Sequence, residues 1–172
     1  MDKQTILEQL DIHHAEFRHL IGSLSETNYL AAPIGKWNAG QQLDHICRSV
    51  GPVSMALGLP SFFLRLLFGK ANRPSRSYEG LVEKYKAKLA EGGRASGQFI
   101  PAKADWGKRE KLLQKLEQLV SDLIRKITKT PENQLDTLIL PHPLLGKLTL
   151  QEMLFFTIYH VQHHHNLVLR NL

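Results

Sequence analysis

Apolar residues along this chain recur at spacings of three and four rather than two, the signature of helices that bury one face. Leu7, Leu10, His14, Phe17, Ile21 and Leu24 make the first such stripe, with a histidine at one core-facing position. After Pro33-Ile34-Gly35, Asn38 followed three residues later by Gln41 forms a capping-box-like start. It opens a helix whose apolar face includes Leu43, Ile46, Cys47 and Val50, and Gly51-Pro52 predicts that the helix falters there. Residues 53–76 combine an aromatic and apolar stretch with Gly58-Leu59-Pro60 and a basic Lys70-Ala71-Asn72-Arg73-Pro74 tail, which reads as a short helix and a long excursion.

A third helix is predicted from about Ser77 to Glu91, with Leu81, Tyr85 and Leu89 on one face and Gly92-Gly93 as its stop. Trp106 to Thr128 carries the strongest pattern: Leu112, Leu113, Leu116, Leu119, Val120, Leu123, Ile124 and Ile127 all fall at helical spacing. Thr149 and Glu152 form a second capping box, and the helix they open places Met153, Phe156, His160, His164 and Leu167 along one stripe. No internal repeat, low-complexity tract or strand pattern is evident. The expected fold is all-α, a four-helix bundle with an additional short helix or excursion, in one domain spanning 1–172.

Composition adds constraints. A chain of 172 residues can bury roughly 70% of its unfolded surface, and 42% hydrophobic with 22% charged residues excludes collagen-like and disordered classes. The net charge of +6 is spread along the chain rather than gathered into a stripe interleaved with aromatics, so a small molecule is the expected partner and nucleic acid is not. The single cysteine, Cys47, cannot form an internal disulfide, and Met1-Asp2-Lys3-Gln4 carries no apolar leader, which points to the cytoplasm. The longest apolar stretch, residues 61–68, is too short to span a bilayer and contains Arg65, so no membrane partner is expected.

The one oddity is histidine. There are nine, four of them within residues 159–166. On a helix, His160 and His164 are neighbours roughly 5–6 Å apart at Cβ, on the face that Met153 and Phe156 mark as inward. Two such rings can bind one divalent metal, zinc or nickel by donor type. They can equally be hydrogen-bonded core histidines, or favourable charge near a helix C-terminus. A third candidate, His45, lies on a separate capped helix with Gln41 one turn before it, as in bundle metal sites built from facing helices. His163 falls about 60° off the inward axis and His165 about 140° off, towards solvent. Cys47, about 200° around its helix from His45, is expected to be buried and structural, and Asp44, about 100° away, to be solvated or capping.

These residues carry a resemblance. Trp37-Asn38-Ala39-Gly40-Gln41-Gln42-Leu43-Asp44-His45-Ile46 is similar to the tryptophan-led second helix of the DinB/YfiT-like superfamily of helical-bundle metalloproteins. His142-Pro143-Leu144-Leu145-Gly146-Lys147-Leu148-Thr149, then Tyr159-His160-Val161-Gln162-His163-His164, resembles the segment before that family's last helix and its His-x-x-His-His signature. The resemblance implies a DinB/YfiT-like bundle in which His45, His160 and His164 form a metal triad, with His163 adjacent but not a ligand. Beyond the signature the chain departs from the pattern, with Leu167 where many relatives carry glutamine or histidine, and His165-Asn166 in place of an apolar and a small residue.

The resemblance brings in metal-dependent hydrolases, thiol S-transferases and a thiol-dependent isomerase, so a divalent metal and a low-molecular-weight thiol are the expected cofactors. The alternative is a non-catalytic, metal-binding, dimeric stress-response protein. Gln41, His14, His163 and His142 are expected around the site. The bland assignments are a hydrogen-bonded core residue for His14, loop packing for His142, packing for Tyr159, core or interface anchors for Trp37 and Trp106, and surface for His13 and His19. Residues 53–76 are apolar on more than one face and need a second covering surface, so they are expected to serve the pocket rim or a subunit interface rather than the core alone, with a short helix fully buried in one bundle as the alternative; a homodimer would supply the surface, and relatives are often dimers.

Overall fold

Four long helices build the core in the computed structural model, which describes residues 1–172. Helix α1 (Lys3–Ser23) starts where the Asp2 side chain accepts the Thr5 amide, and buries Ile6, Leu10, His14, Phe17 and Ile21. After the short α2 (Glu26–Leu30), α3 (Ala39–Leu57) begins at the Asn38–Gln41 capping box. Helix α4 (Ser61–Phe68) follows at 111° to α3, and α5 (Tyr78–Ala90) starts where Ser77 caps the Gly80 amide. Helix α6 (Arg109–Lys129) is entered through a single 3-10 turn at Trp106–Lys108 and contributes Leu113, Leu116, Val120, Leu123 and Ile127. Helix α7 (Glu132–Thr137), strands β1 (Ile139–His142) and β2 (Gly146–Thr149), and α8 (Leu150–Asn171) complete the chain.

Helices α1, α3, α6 and α8 pack together, and α5 covers α8 from outside. The first half of α8 is buried on nearly every side, from Leu150 through Met153, Leu154, Phe155, Phe156 and Ile158 to Val161, because it is surrounded by neighbours rather than lying on a surface. All the buried apolar side chains except Val82 and Ile139 form one contiguous cluster of 33 residues. No single helix is long and apolar enough to cross a membrane.

Two expectations about secondary structure are corrected. Pro52 does not end its helix: α3 continues to Leu57. Proline removes one helical hydrogen bond, at a cost of about 3 kcal/mol, yet continuing lets Val53 bury and lets Ser54 meet α6, where its hydroxyl donates to Asp122 at 2.8 Å and its carbonyl accepts Lys126 Nζ at 2.7 Å. Second, a two-stranded antiparallel hairpin is present, pairing Ile139 with Thr149 and His142 with Gly146. Its tight loop is held by His142, whose Nδ1 accepts the amides of Leu144 and Leu145 at 3.1 and 3.0 Å, and by Gly146 at φ 77°, a left-handed conformation that favours glycine.

Residues 53–76 divide in three. Residues 53–57 finish α3, α4 follows, and residues 69–77 are non-helical with a bend at Asn72-Arg73. That last stretch is pinned to the bundle through Glu152, whose fully buried carboxylate accepts Arg73 at 2.7 and 2.8 Å, and the Arg76 amide and guanidinium at 2.9 Å each. Helix α4 buries only Leu64. Phe62, Phe63, Leu66 and Leu67 are 58%, 43%, 73% and 63% exposed, an apolar face that nothing in the bundle covers.

Candidate metal centre

The two capping boxes set the phase of α3 and α8, and that phase aims three histidines at one point. In α3 the Asn38 side chain accepts the Gln41 amide at 2.9 Å while the Gln41 side chain accepts the Asn38 amide at 3.2 Å. In α8, Thr149 and Glu152 exchange the equivalent pair at 3.1 and 3.0 Å. Seven residues after Asn38, His45 faces α8; His160 and His164, one turn apart, face back.

The Nε2 atoms converge. His160 Nε2 lies 3.2 Å from that of His45 and 3.0 Å from that of His164, and the possible ligand atoms of all three residues lie within 4.8 Å of one another. Two nitrogens each about 2.0–2.1 Å from a tetrahedral ion would stand about 3.3 Å apart. The outer nitrogens of two rings are already engaged: His45 Nδ1 donates to the Phe99 carbonyl at 2.7 Å, and His164 Nδ1 donates to the Gln42 side-chain oxygen. With those protons on Nδ1, both Nε2 atoms present lone pairs to the centre, and His160 can satisfy only one of them with its own proton. A shared cation satisfies all three, and rings fixed through their far nitrogen are the usual support of a metal ligand.

Electrostatics agrees with that chemistry. Each of the three side chains is only 5% exposed. Burial, and then the neighbouring histidines, hold His160 and His164 well below the usual imidazole range; burial lowers His45 as well, against the pull of its bond to Phe99. Neutral imidazoles are the form that binds metal. Aromatic rings wall the group: Phe156 stacks on His160 at 4.6 Å, Trp37 lies 5.0 Å from His45 and nearly parallel to His164 at 6.4 Å, and Tyr85 presents its edge to His160 at 6.1 Å.

The surrounding residues are placed differently from several expectations. Gln41 is engaged by the capping box, and the glutamine that touches the group is Gln42, buried and one position on. His14 lies away from the triad, in a groove of about 490 Å³ between α1 and α6. Its Nδ1 bonds to the Leu10 carbonyl at 2.7 Å, its Nε2 has no partner, and burial lowers its pKa to about 4. His142 is a loop-packing residue that also reaches the wall, its ring 4.2 Å from Phe156. His163 is half-buried beside His164, edge-on to Tyr85, and outside the convergent group.

Asp44 is neither solvated nor a helix cap. Its Oδ2 accepts Arg48 Nε at 2.7 Å and the Ala102 amide at 2.8 Å. His165 does not reach open solvent but is half-buried, near Glu16 and His13 of α1. Cys47 is buried, donates to the Leu112 carbonyl at 3.6 Å and has its thiol pushed up to about 12 by burial, as befits a structural residue. Trp37 is part of the site's wall, whereas Trp106 packs edge-on against Tyr29 at 5.4 Å. Gln42, Trp37 and the Phe99 carbonyl are the contributions that sequence reasoning missed or misplaced; helical phase offered a signal for Gln42, and a backbone carbonyl offers none.

A profile of the DinB superfamily matches residues 9–168, nearly the whole chain and all three histidines. The fold is similar to the crystal structure of TT2238, a four-helix bundle protein, with a TM-score of 0.62 covering 99% of this chain and 100% of that one at 13% identity, a likeness of fold. No curated protein matches the sequence.

Proposed function

Because the chain belongs to the DinB superfamily, we propose that its three buried histidines make it a divalent-metal-dependent enzyme of hydrolase or thiol S-transferase type, holding zinc or nickel. The observation that carries this reading is the convergence of three Nε2 atoms while the far nitrogens of two rings are held by Phe99 and Gln42. A divalent ion held by three protein ligands keeps a position open and lowers the pKa of a bound water or thiol. His45, His160 and His164 bind and orient; Trp37, Phe156 and Tyr85 keep bulk water from the rings. Asp44, the only carboxylate in the two motifs that flank the triad, is tied through Oδ2 to Arg48 and the Ala102 amide. In this reading the ion would supply the activation of the nucleophile, and the substrate would be a small molecule that brings its own thiol or is attacked by water.

The half-exposed apolar face of α4 supports a homodimer, and the free Cys47 thiol supports a cytoplasmic setting. A second reading, a non-catalytic metal-binding stress-response protein, draws on the 5% exposure of each ligand, which leaves little room for a substrate.

The test is metal analysis of untagged protein together with its His164→Ala and His165→Ala variants, followed by hydrolysis and thiol-transfer assays with and without chelator. Stoichiometric metal lost in His164→Ala and kept in His165→Ala, with activity that chelator abolishes, is the expected result. Metal without any chelator-sensitive activity favours the second reading; no metal in the unaltered protein overturns both.

A further inference from the structure

The segment between α5 and α6 contains no α-helix, yet one stretch of it, residues 97–102, lies against α3 directly at His45. Three residues on two successive turns of α3 hold that strap. Arg48 Nη1 donates to the Gln98 carbonyl at 3.2 Å, His45 Nδ1 donates to the Phe99 carbonyl at 2.7 Å, and Asp44 Oδ2 accepts the Ala102 amide at 2.8 Å. Asp44 and Arg48 are also bonded to each other at 2.7 Å through Asp44 Oδ2 and Arg48 Nε, so the two form a clamp rather than independent contacts. Within the strap the only regular structure is a single 3-10 turn at Gly97–Phe99, with two internal bonds at 3.2 Å. Gly97 at φ 56° allows the chain to turn there, and Pro101 is buried behind it.

We propose that Asp44 and Arg48 are positioning residues of the metal centre: by clamping residues 97–102 to α3 they fix the Phe99 carbonyl, and through it the Nδ1–H tautomer of His45. The proposal rests on the reading of the triad as metal ligands. The reasoning is one of alternatives. A free imidazole favours the proton on Nε2, which would occupy the very lone pair that the centre needs. Only an acceptor held opposite Nδ1 reverses that preference. For His164 the acceptor is a side chain on α3, Gln42, rigidly placed by the helix. For His45 it is a carbonyl in a strap whose regular structure is a single 3-10 turn, so its position depends on what fastens that strap to α3. The clamp supplies a bond on either side of Phe99, one residue before and three after. It gives Asp44 a positioning role through Oδ2, which accepts both Arg48 and the Ala102 amide.

The test uses full-length protein labelled with ¹⁵N-histidine. In the metal-free state, two-bond ¹H–¹⁵N correlations report the tautomer of each ring, and the His45 signal is assigned by its loss in His45→Gln. Unaltered protein is expected to show a single Nδ1–H tautomer at His45. Asp44→Ala is expected to show a mixture, with zinc affinity, measured by competition with a chromophoric chelator, lower by about 10-fold. Asp44→Asn, whose amide oxygen still accepts from Ala102, is expected to restore the single tautomer.

A single Nδ1–H tautomer in Asp44→Ala, in a protein whose circular dichroism is unchanged, overturns the proposal, and so does unaltered zinc affinity in that variant. Should Asp44→Ala fail to fold, Arg48→Met carries the same measurement, because it frees Gln98 while sparing the Asp44–Ala102 bond; no tautomer change there is equally fatal. If unaltered protein shows the Nδ1–H tautomer but takes up no zinc, the metal reading fails while the tautomer arm still decides the role of the clamp.

Discussion

Replacing Glu152 by glutamine tests how the excursion after α4 is fastened to the bundle. The carboxylate is wholly buried at the first turn of α8, where it accepts the Thr149 amide and four hydrogen bonds from Arg73 and Arg76. Burial pushes its pKa up, but the bonds from Arg73, from the amides of Arg76 and Thr149 and from the Arg76 guanidinium together outweigh burial and bring it from 4.5 down to about 2. Each tenfold change in proton affinity is about 1.4 kcal/mol, so the ionised group contributes about 3 kcal/mol to stability at neutral pH. Both arginines keep about a third of their side chains exposed. They therefore rehydrate in the variant, and the loss should stay near that figure rather than reach the upper end of about 3–5 kcal/mol seen for broken buried pairs.

Because the folded-state pKa is depressed, this stability is fully present above 4.5 and is lost as pH falls towards 2. Urea unfolding of the unaltered protein and Glu152→Gln should differ by about 3 kcal/mol at neutral pH, and by about 1.5 kcal/mol near pH 3. Comparing the two proteins at each pH cancels the titration of every other carboxylate. A difference that is the same at both pH values would refute the reasoning, since it would show that shape and not charge is what the site requires.

Three further outcomes are expected. Gln42→Leu, which removes the acceptor for His164 Nδ1, should weaken zinc binding by about 10-fold or more in chelator competition while leaving secondary structure unchanged; equal affinity would mean that His164 needs no orienting partner. Gly40→Ala places a Cβ 2.6 Å from the buried Tyr29 ring and 2.8 Å from Ala104, so it should destabilise by about 1–3 kcal/mol in urea although alanine is the better helix former, and a neutral result would show that the Tyr29 ring yields freely. The homodimer proposed above predicts that Phe62→Ser combined with Leu66→Ser halves the mass read by light scattering while the protein stays folded, since both side chains lie on the exposed face of α4; an unchanged mass would count against α4 as a subunit contact.

The parts of the site that could be read from the chain are those governed by helical phase. Spacing of four places His160 and His164 together, and the capping residues Asn38 and Thr149 fix where each helix begins, hence which way His45 and His160 point. Phase arguments fail where the partner is not on a helix. The Phe99 carbonyl lies 54 residues from His45 in a strap whose path no periodicity encodes. They also fail where one residue answers two demands: Gln41 shares the face of His45, but the capping box engages its side chain, and the adjacent Gln42 turns inward instead. At Pro52 the local cost of proline predicts a break, but the tertiary contacts of Val53 and Ser54 offset it. The hairpin escaped because each strand is four residues long, with a proline in β1, and its pairing is settled by the loop around His142.

Helix α4 is lightly held and largely exposed. It joins α3 at one end and the Glu152-anchored stretch at the other, and between those points only Leu64 enters the core. The amides of residues 61–68 should therefore exchange with deuterium through a local opening that costs far less than unfolding the bundle, while those of α8 wait for the global event. A protease that cuts within α4 would leave two fragments still bound through the contacts of α3 with α6 and α8, and through the grip of Glu152 on Arg73 and Arg76. In that sense the chain behaves as a closed bundle carrying a detachable flap, and a nick there should leave the three-histidine group assembled.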